Sequence, residues 1–254
     1  MEVRILASGT DAPNGAHYAT AFVINETVAI DAGPLGFFGL PENQARLRHV
    51  FLTHSHADHT ATLPIMVENS FEVTRPAVVV HGQRATIEAV RTHIFNDVMW
   101  PDFLRLSLPE RPFLELREMG TEQPVHVEGL SITAVPVNHI VPTYGFIVAD
   151  GETTVMFGGD SGPTDRIWEL AHVTKAPRSV FIECSFPSSM PDFAKLTGHL
   201  TPTLLLEEWR KMPEMNRVIA VHIKRKFQDA ILRELAGLPI QGLEAGRGGV
   251  VYQV

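Results

Sequence analysis

The chain has 254 residues, with 21 Lys+Arg against 29 Asp+Glu for a formal charge of −8, and is 44% hydrophobic and 20% charged. That is ordinary globular composition; it excludes a disordered or fibrous chain and argues against an extended nucleic acid as partner, while the single cysteine, Cys184, excludes a disulfide framework or multi-cysteine metal site. No basic segment followed by a long apolar stretch opens the chain, and no apolar run nears the ~18–20 residues that span a bilayer, so the expectation is a cytoplasmic protein with no membrane partner.

In chain order, short strands are expected at Val3–Ala7, then at Thr20–Ile24 and Thr27–Ile30 around an Asn25-Glu26 turn. After Pro41, Glu42–Arg48 reads as a short helix leading into a strand His49–Thr53. Pro76–His81 reads as a buried strand, because Ala77-Val78-Val79-Val80 is a run of small and β-branched residues. Ile87, Val90 and Ile94 share one face of a helix from Arg84 to about Asn96. Strands Leu130–Val135, Tyr144–Val148 and Thr153–Phe157 follow, then a helix Thr164–His172 and a strand Ser179–Ile182. Thr201-Pro202 starts a helix, a hydroxyl N-cap with Pro at the first helical position, running to about Lys211. A strand Val218–Val221, a helix Phe227–Ala236 and a strand Val250–Gln253 complete the chain. Two batches of strands, each with helices among them, predict two sheets between helical layers in one domain, residues 1–254.

Chemistry concentrates in Thr53-His54-Ser55-His56-Ala57-Asp58-His59, directly after the apolar Val50-Phe51-Leu52. Three imidazoles and a carboxylate within six residues, at a strand end where side chains converge, suit zinc, manganese or iron. Further on, His139 follows Ala134-Val135-Pro136-Val137, Asp160 follows Phe157-Gly158-Gly159, and His222 ends Val218-Ile219-Ala220-Val221. Taken alone, each of these three is as well read as a hydrogen-bonded strand-end residue.

The first motif resembles the HxHxDH signature of the metallo-β-lactamase superfamily, which carries three more ligands on loops after later strands. The resemblance implies an α/β (α+β) fold, the four-layer αββα metallo-β-lactamase sandwich, with a dinuclear site at one edge between the sheets. It assigns His54, His56 and His139 to one divalent metal and Asp58, His59 and His222 to the other, with Asp160 bridging; the expected ions are two zincs, manganese or iron being acceptable to the same ligands. Paired metals of this kind hydrolyse phosphodiesters, lactams, lactones or thioesters, and the fold does not choose among them.

Two further segments narrow the chemistry. Phe181-Ile182-Glu183-Cys184-Ser185-Phe186 follows a strand, and Gly198-His199-Leu200-Thr201-Pro202 precedes a helix. A His paired with a carboxylate stays protonated and can donate to a leaving alkoxide; otherwise Glu183 is a network acid and His199 a capping residue. The run GDS…ECSF…GHLTP…VHI resembles the phosphodiesterase branch of the superfamily, where a Glu and a His form the proton-donating pair. The closer resemblance is to the class II cyclic-nucleotide phosphodiesterases, through Thr92–Phe103, Phe181–Pro187 and His222-Ile223-Lys224. It implies opening of a 3′,5′-cyclic nucleotide, cAMP or cGMP, to the 5′-monophosphate by a hydroxide shared between the metals. Asp58, His199 and Glu183 are the expected catalytic residues, with His199 as the general acid. Ala57 where Leu is usual, the missing Gly after the ligands and the glycine-poor Ala7–Asp11 loop depart from the pattern and bear on nucleotide preference.

His93, Asn96 and Trp100 could line a nucleotide pocket, with Trp100 equally well a cap on a hydrophobic cluster, and Lys224 could screen phosphate charge or sit in a solvated turn. Asp31 is a candidate to orient a ligand imidazole or simply a buried turn acid. Cys184 reads as a small core residue, and His17, His49, His81, His126 and His172 as structural or exposed. The expected partner is a small phosphodiester, and a homodimer stays open as the assembly. The competing readings are an ester, thioester or lactone hydrolase, a metal-stabilised scaffold, and a tRNA 3′-processing nuclease. Only twenty residues separate His139 from Asp160, where those nucleases insert their tRNA-binding arm, which disfavours the last.

Overall fold

The computed structural model describes residues 1–8, 19–71, 77–110, 112–174 and 179–254. The Ala7–Asp11 loop beyond Ser8, His17, and Pro76 at the start of an expected strand lie outside the described residues. One sheet takes β1 (Glu2–Ile5), β2 (Phe22–Ile24), β3 (Val28–Ile30), β4 (His49–Phe51), β5 (Val78–Gly82) and β6 (Leu114–Glu118). The second takes β7 (Pro124–Val127), β8 (Leu130–Val137), β9 (Thr143–Ala149), β10 (Thr154–Phe157), β11 (Ser179–Glu183), β12 (Arg217–Val221) and β13 (Leu243–Ala245). The last strand, β14 (Val251–Gln253), returns to the first sheet beside β1, so the orders are β14-β1-β2-β3-β4-β5-β6 and β13-β12-β11-β10-β9-β8-β7. Each sheet is antiparallel over one half and parallel over the other, along β3–β6 and β10–β13.

The strand period of two sorts side chains between layers. Phe22, Ile24, Val28, Ile30 and Phe51 point inward against Ile132, Phe146, Val148, Phe157, Phe181 and Ile219 of the facing sheet. Their neighbours Val23, Ala29, Val50 and Leu52 point outward under Leu63, Met66, Ile87 and Val90. Behind the second sheet, Met156, Val180, Ile182 and Val218 pack under Ile167, Trp168, Leu205 and Ile231. These three apolar layers make the expected αββα sandwich. The covering helices are α1 (Pro41–Gln44), α2 (Ala57–Thr60), α3 (Leu63–Ser70), α4 (Arg84–His93) and α5 (Phe103–Leu106) on the first side. On the second are α6 (Arg166–Val173), α7 (Pro191–Thr197), α8 (Pro202–Trp209) and α9 (Gln228–Ala236). No helix of the described residues is long and apolar enough to cross a membrane.

Several local expectations recur in the structure. Asn25 and Glu26 both take positive φ (47° and 59°), the conformation a tight hairpin between twisted strands requires. Thr201 accepts the Leu204 N–H at 3.3 Å and Pro202 opens α8. Other boundaries move: α1 is one turn, and α4 stops at His93 rather than Asn96, because Asn96 turns its side chain to its own loop. Cys184 is a buried core thiol, and burial pushes its pKa well above the usual value.

His49 and His81 form a pair in the first sheet. Pairing of Phe51 with His81 across β4 and β5 stacks the two rings at 4.3 Å, and His81 Nε2 lies 3.0 Å from His49 Nδ1. Burial, reinforced by His49 and Arg117, pushes the fully buried His81 down to about 3. Because the unfolded chain takes up this proton near pH 6.5, stability is full above that value and is lost as pH falls toward 3. Between pH 7 and pH 5 the loss from this residue is about 2 kcal/mol. Urea unfolding of the wild type and His81→Leu at both values checks it: the wild type should lose about 2 kcal/mol more than the variant.

Candidate metal centre

Every expected ligand leaves its sheet at the same edge. The parallel strands β4, β10 and β12 run directly into His54, Asp160 and His222, and β8 into His139, which is where open parallel sheets bind ligands. His54, His56 and His139 bring ligand atoms within 4.8 Å of one another, as do Asp58, His59 and His222. Asp160 connects the groups: its Oδ2 lies 3.2 Å from His222 Nε2, 3.4 Å from His59 Nε2 and 4.0 Å from His54 Nε2. All seven side chains proposed from the sequence therefore meet in one place, between the sheets.

Four of the imidazoles are oriented through Nδ1, and proton counting fixes each tautomer. Asp31 Oδ2 takes the His59 Nδ1–H at 2.7 Å, and the Gly198 carbonyl takes that of His139 at 2.8 Å. Thr53 Oγ1 gives its single proton to the Asp31 carboxylate (2.9 and 3.0 Å), so it accepts from His54 Nδ1 at 3.0 Å. Ser185 Oγ lies 2.9 Å from His222 Nδ1. In each case Nε2 is left for the centre, the arrangement that metal-binding histidines adopt. His56 alone turns Nδ1 inward, 3.4 Å from His139 Nε2. Asp31, Thr53 and Asp160 are also buried, and Asp31 and His222 hold left-handed backbones (φ 60° and 54°), strain of the kind that functional sites store.

The electrostatics fit a cation. Burial and the neighbouring imidazoles push His54 down to about 2, so it is neutral, and its Nε2 is buried with no hydrogen-bond partner. Burial likewise lowers His56 and His139. Burial disfavours a charged His59, yet Asp160 and Asp31 outweigh it and hold that imidazole well above its usual value. Asp160 stays well below the usual carboxylate range despite its burial, because His222 and His59 face it. Burial works against Asp58 too, and is overcome by His222, His59 and Lys224. Burial lowers His54, His56 and His139, while the ionised Asp58 and Asp160 favour positive charge beside them, seen in the raised His59, so the residues present suit a divalent metal ion.

Beside this group, Glu183 at the end of β11 accepts the His199 Nδ1–H at 2.6 Å. Its four bonds tie three loops together: Oε1 also takes the Ser161 N–H (3.2 Å), and Oε2 those of Ser185 (3.1 Å) and Leu200 (3.2 Å). Burial would lower His199, but the Glu183 charge prevails and raises it, which favours the protonated imidazole. A ring nitrogen of His199 falls within 4.8 Å of ligand atoms of His139 and Asp160. Lys224 Nζ reaches 3.4 Å from Asp58 Oδ2 and from His222 Nε2.

His93, Asn96 and Trp100 are not brought to the centre. β5 runs toward the metal edge, so α4 runs back from it and delivers them toward the opposite end of the sheet. There Phe95 packs on Phe103 and Phe103 on Phe113, next to Leu114, the partner of Val78 at the start of β5. Asn96 spends its side chain on Thr92 O and the Val98 and Met99 N–H groups, and Trp100 packs against the outer apolar layer. Sequence reasoning missed the Thr53 and Ser185 hydroxyls and the Gly198 carbonyl as holders of the ligands. Gly198 carried one sign, a glycine between a helix and a candidate acid.

Gly198 adopts φ 67°, and a Cβ there would stand 2.8 Å from His139 Nδ1. Gly198→Ala is therefore expected to cost about 1–2 kcal/mol of backbone strain alone. It should also displace His139, and chelator titration of the purified variant should show weakened metal retention.

A family model described as a beta-lactamase superfamily domain matches residues 27–223. The probable 3′,5′-cyclic-nucleotide phosphodiesterase of Yersinia pestis is 28% identical over an alignment of 204 residues that covers 70% of this chain and 57% of that protein. The ribonuclease Z of Phocaeicola vulgatus is 26% identical over 157 residues, 59% of this chain and 49% of that one. The chain thus spans about half the length of the curated relatives it matches. The crystal structure of unliganded yeast PDE1 superposes with a TM-score of 0.79 at 18% identity, covering 98% of both chains, a likeness of fold. With the family model matching most of its length, the chain belongs to the beta-lactamase superfamily and has the metallo-β-lactamase fold.

Proposed function

We propose that this chain is a phosphodiesterase that opens 3′,5′-cyclic nucleotides, cAMP or cGMP, to 5′-monophosphates. The observation that carries this reading is the Glu183–His199 pair at 2.6 Å, set beside seven convergent histidine and aspartate side chains. Such a donor assists the expulsion of an alkoxide such as O3′, whereas the thiolate of a thioester, far less basic, needs it far less. His54, His56 and His139 would hold one cation and Asp58, His59 and His222 another, with Asp160 between them and zinc the expected metal. Divalent ions there supply Lewis acidity and make water a nucleophile near neutral pH.

The chain's own residues do the rest. Asp58, held ionised, orients the attacking water, and Lys224 adds a positive charge facing the phosphate. As water adds to phosphorus, leaving its oxygen as P–OH and passing its other proton to solvent, the P–O3′ bond breaks and O3′ takes a proton from His199, which solvent then restores. Glu183 occupies Nδ1 of that ring, which leaves Nε2–H as the donor. The substrate is a small molecule; no nucleic acid or membrane partner is proposed.

Likeness to ribonuclease Z supports a second reading, a tRNA-processing nuclease. The short stretch between His139 and Asp160, a β-hairpin of β9 and β10, and the charge of −8 weigh against it. The test is a panel of cAMP, cGMP, bis-p-nitrophenyl phosphate, a lactone, a thioester and a precursor tRNA, given to metal-loaded protein with products identified. Cyclic nucleotides should yield 5′-monophosphates. Turnover confined to the lactone or thioester, or to the tRNA, would overturn the proposal.

A further inference from the structure

Ser185 is fully buried, two residues past Glu183, and its hydroxyl has three polar neighbours. Oγ lies 2.9 Å from His222 Nδ1, 3.1 Å from the His222 carbonyl oxygen and 3.3 Å from His199 Nδ1. A serine hydroxyl has one proton to give. The carbonyl can only accept, so the proton goes there, and the oxygen's lone pairs are left to receive N–H groups. His199 already spends its Nδ1–H on Glu183 at the shorter 2.6 Å. His222 Nδ1–H is therefore the group that Ser185 accepts, and both strong bonds of the hydroxyl end on one residue.

These two bonds do different things to His222. The bond to Nδ1 keeps the proton on that nitrogen and leaves Nε2 bare, 3.2 Å from both Asp58 Oδ2 and Asp160 Oδ2. The bond to the carbonyl braces a backbone at φ 54°, a left-handed conformation that non-glycine residues seldom hold. Ser185 is itself fixed, since its N–H donates to Glu183 Oε2 at 3.1 Å. His54, His56 and His139 make no use of it; their outer contacts run to Thr53, to one another and to Gly198.

We propose that Ser185 is a positioning residue which, by gripping His222 at both ring and backbone, sets the affinity of the Asp58–His59–His222 group for its cation. This rests on the reading that two groups of side chains each hold a divalent ion. The test is zinc titration of the demetallated wild type, Ser185→Ala and Ser185→Cys against a chromogenic chelator, with circular dichroism to confirm folding. The wild type should bind two equivalents. In both variants the second should weaken by about 10–100-fold and the first stay within about twofold, as loss of one outer hydrogen-bond partner dictates. In the zinc-loaded wild type a slowly exchanging His222 Nδ1–H resonance should appear by NMR and be lost in Ser185→Ala. Variants that bind both equivalents like the wild type, or lose both equally, overturn the role of Ser185 alone. A wild type that takes no second equivalent overturns the two-ion reading and this proposal with it.

Discussion

Replacing His199 by alanine should lower kcat for a cyclic nucleotide by about 10²–10⁴-fold while leaving the bound metal unchanged, with a smaller loss on an activated phosphodiester. The ring lies at the centre's rim, with Nδ1 committed to Glu183 and its protonated form favoured by that carboxylate, so under the proposed mechanism the variant removes a proton donor. The loss should shrink for substrates with good leaving groups, because p-nitrophenolate departs without help while a sugar alkoxide does not. Equal losses on both substrates would mean that His199 serves binding or structure instead. Glu183→Gln is expected to cost more than orientation of that ring. Glu183 accepts four N–H groups on two oxygens, and an amide nitrogen at either position would face donors with another donor. Urea unfolding of Glu183→Gln should show a loss of about 1–3 kcal/mol beside the fall in kcat.

Asp160→Ala should lower kcat/KM by about 10³-fold or more, since in the proposed mechanism several kcal/mol of charge stabilisation would depend on ions held at this point. The same variant should lose metal measured by elemental analysis, because the Asp160 carboxylate faces rings of both groups. Stripping the wild type with a chelator is expected to abolish turnover, reversibly. It should also lower the melting temperature, since ions that bind the folded chain alone stabilise it by about 2.7 kcal/mol at a hundredfold excess over Kd. For a chain of this size that amounts to roughly 5–10 °C. Chelated protein that kept its turnover would remove metal from the chemistry altogether.

Much of the site was legible because its signals are local. His54, His56, Asp58 and His59 fall within six residues behind an apolar strand, and His139 and His222 each follow apolar runs that form β8 and β12. Elements that went unseen have weaker patterns. β7 alternates exposed and half-buried residues, β13 is half-buried throughout, and both are edge strands with a single neighbour. The helices α2 and α3 were hidden because Thr60-Ala61-Thr62 interrupts the apolar period just where the ligands end. His93, Asn96 and Trp100 looked like a pocket in the sequence because they are neighbours in it. Whether a helix end reaches a site depends on which way the helix runs from its strand, and α4 runs away.

Which side chains could bind metal, and which strand end each would leave, was readable in short stretches of chain, because strand period and ligand spacing act over a handful of residues. Which nitrogen of each histidine faces inward depends instead on contacts between distant segments. Asp31 reaches His59 across 28 residues, Gly198 reaches His139 across 59, and Ser185 reaches His222 across 37. Asp31 and His59 meet because β3 lies beside β4, and Ser185 and His222 because β11 lies beside β12, an order set by burial of the two sheets against each other rather than by any short stretch of chain.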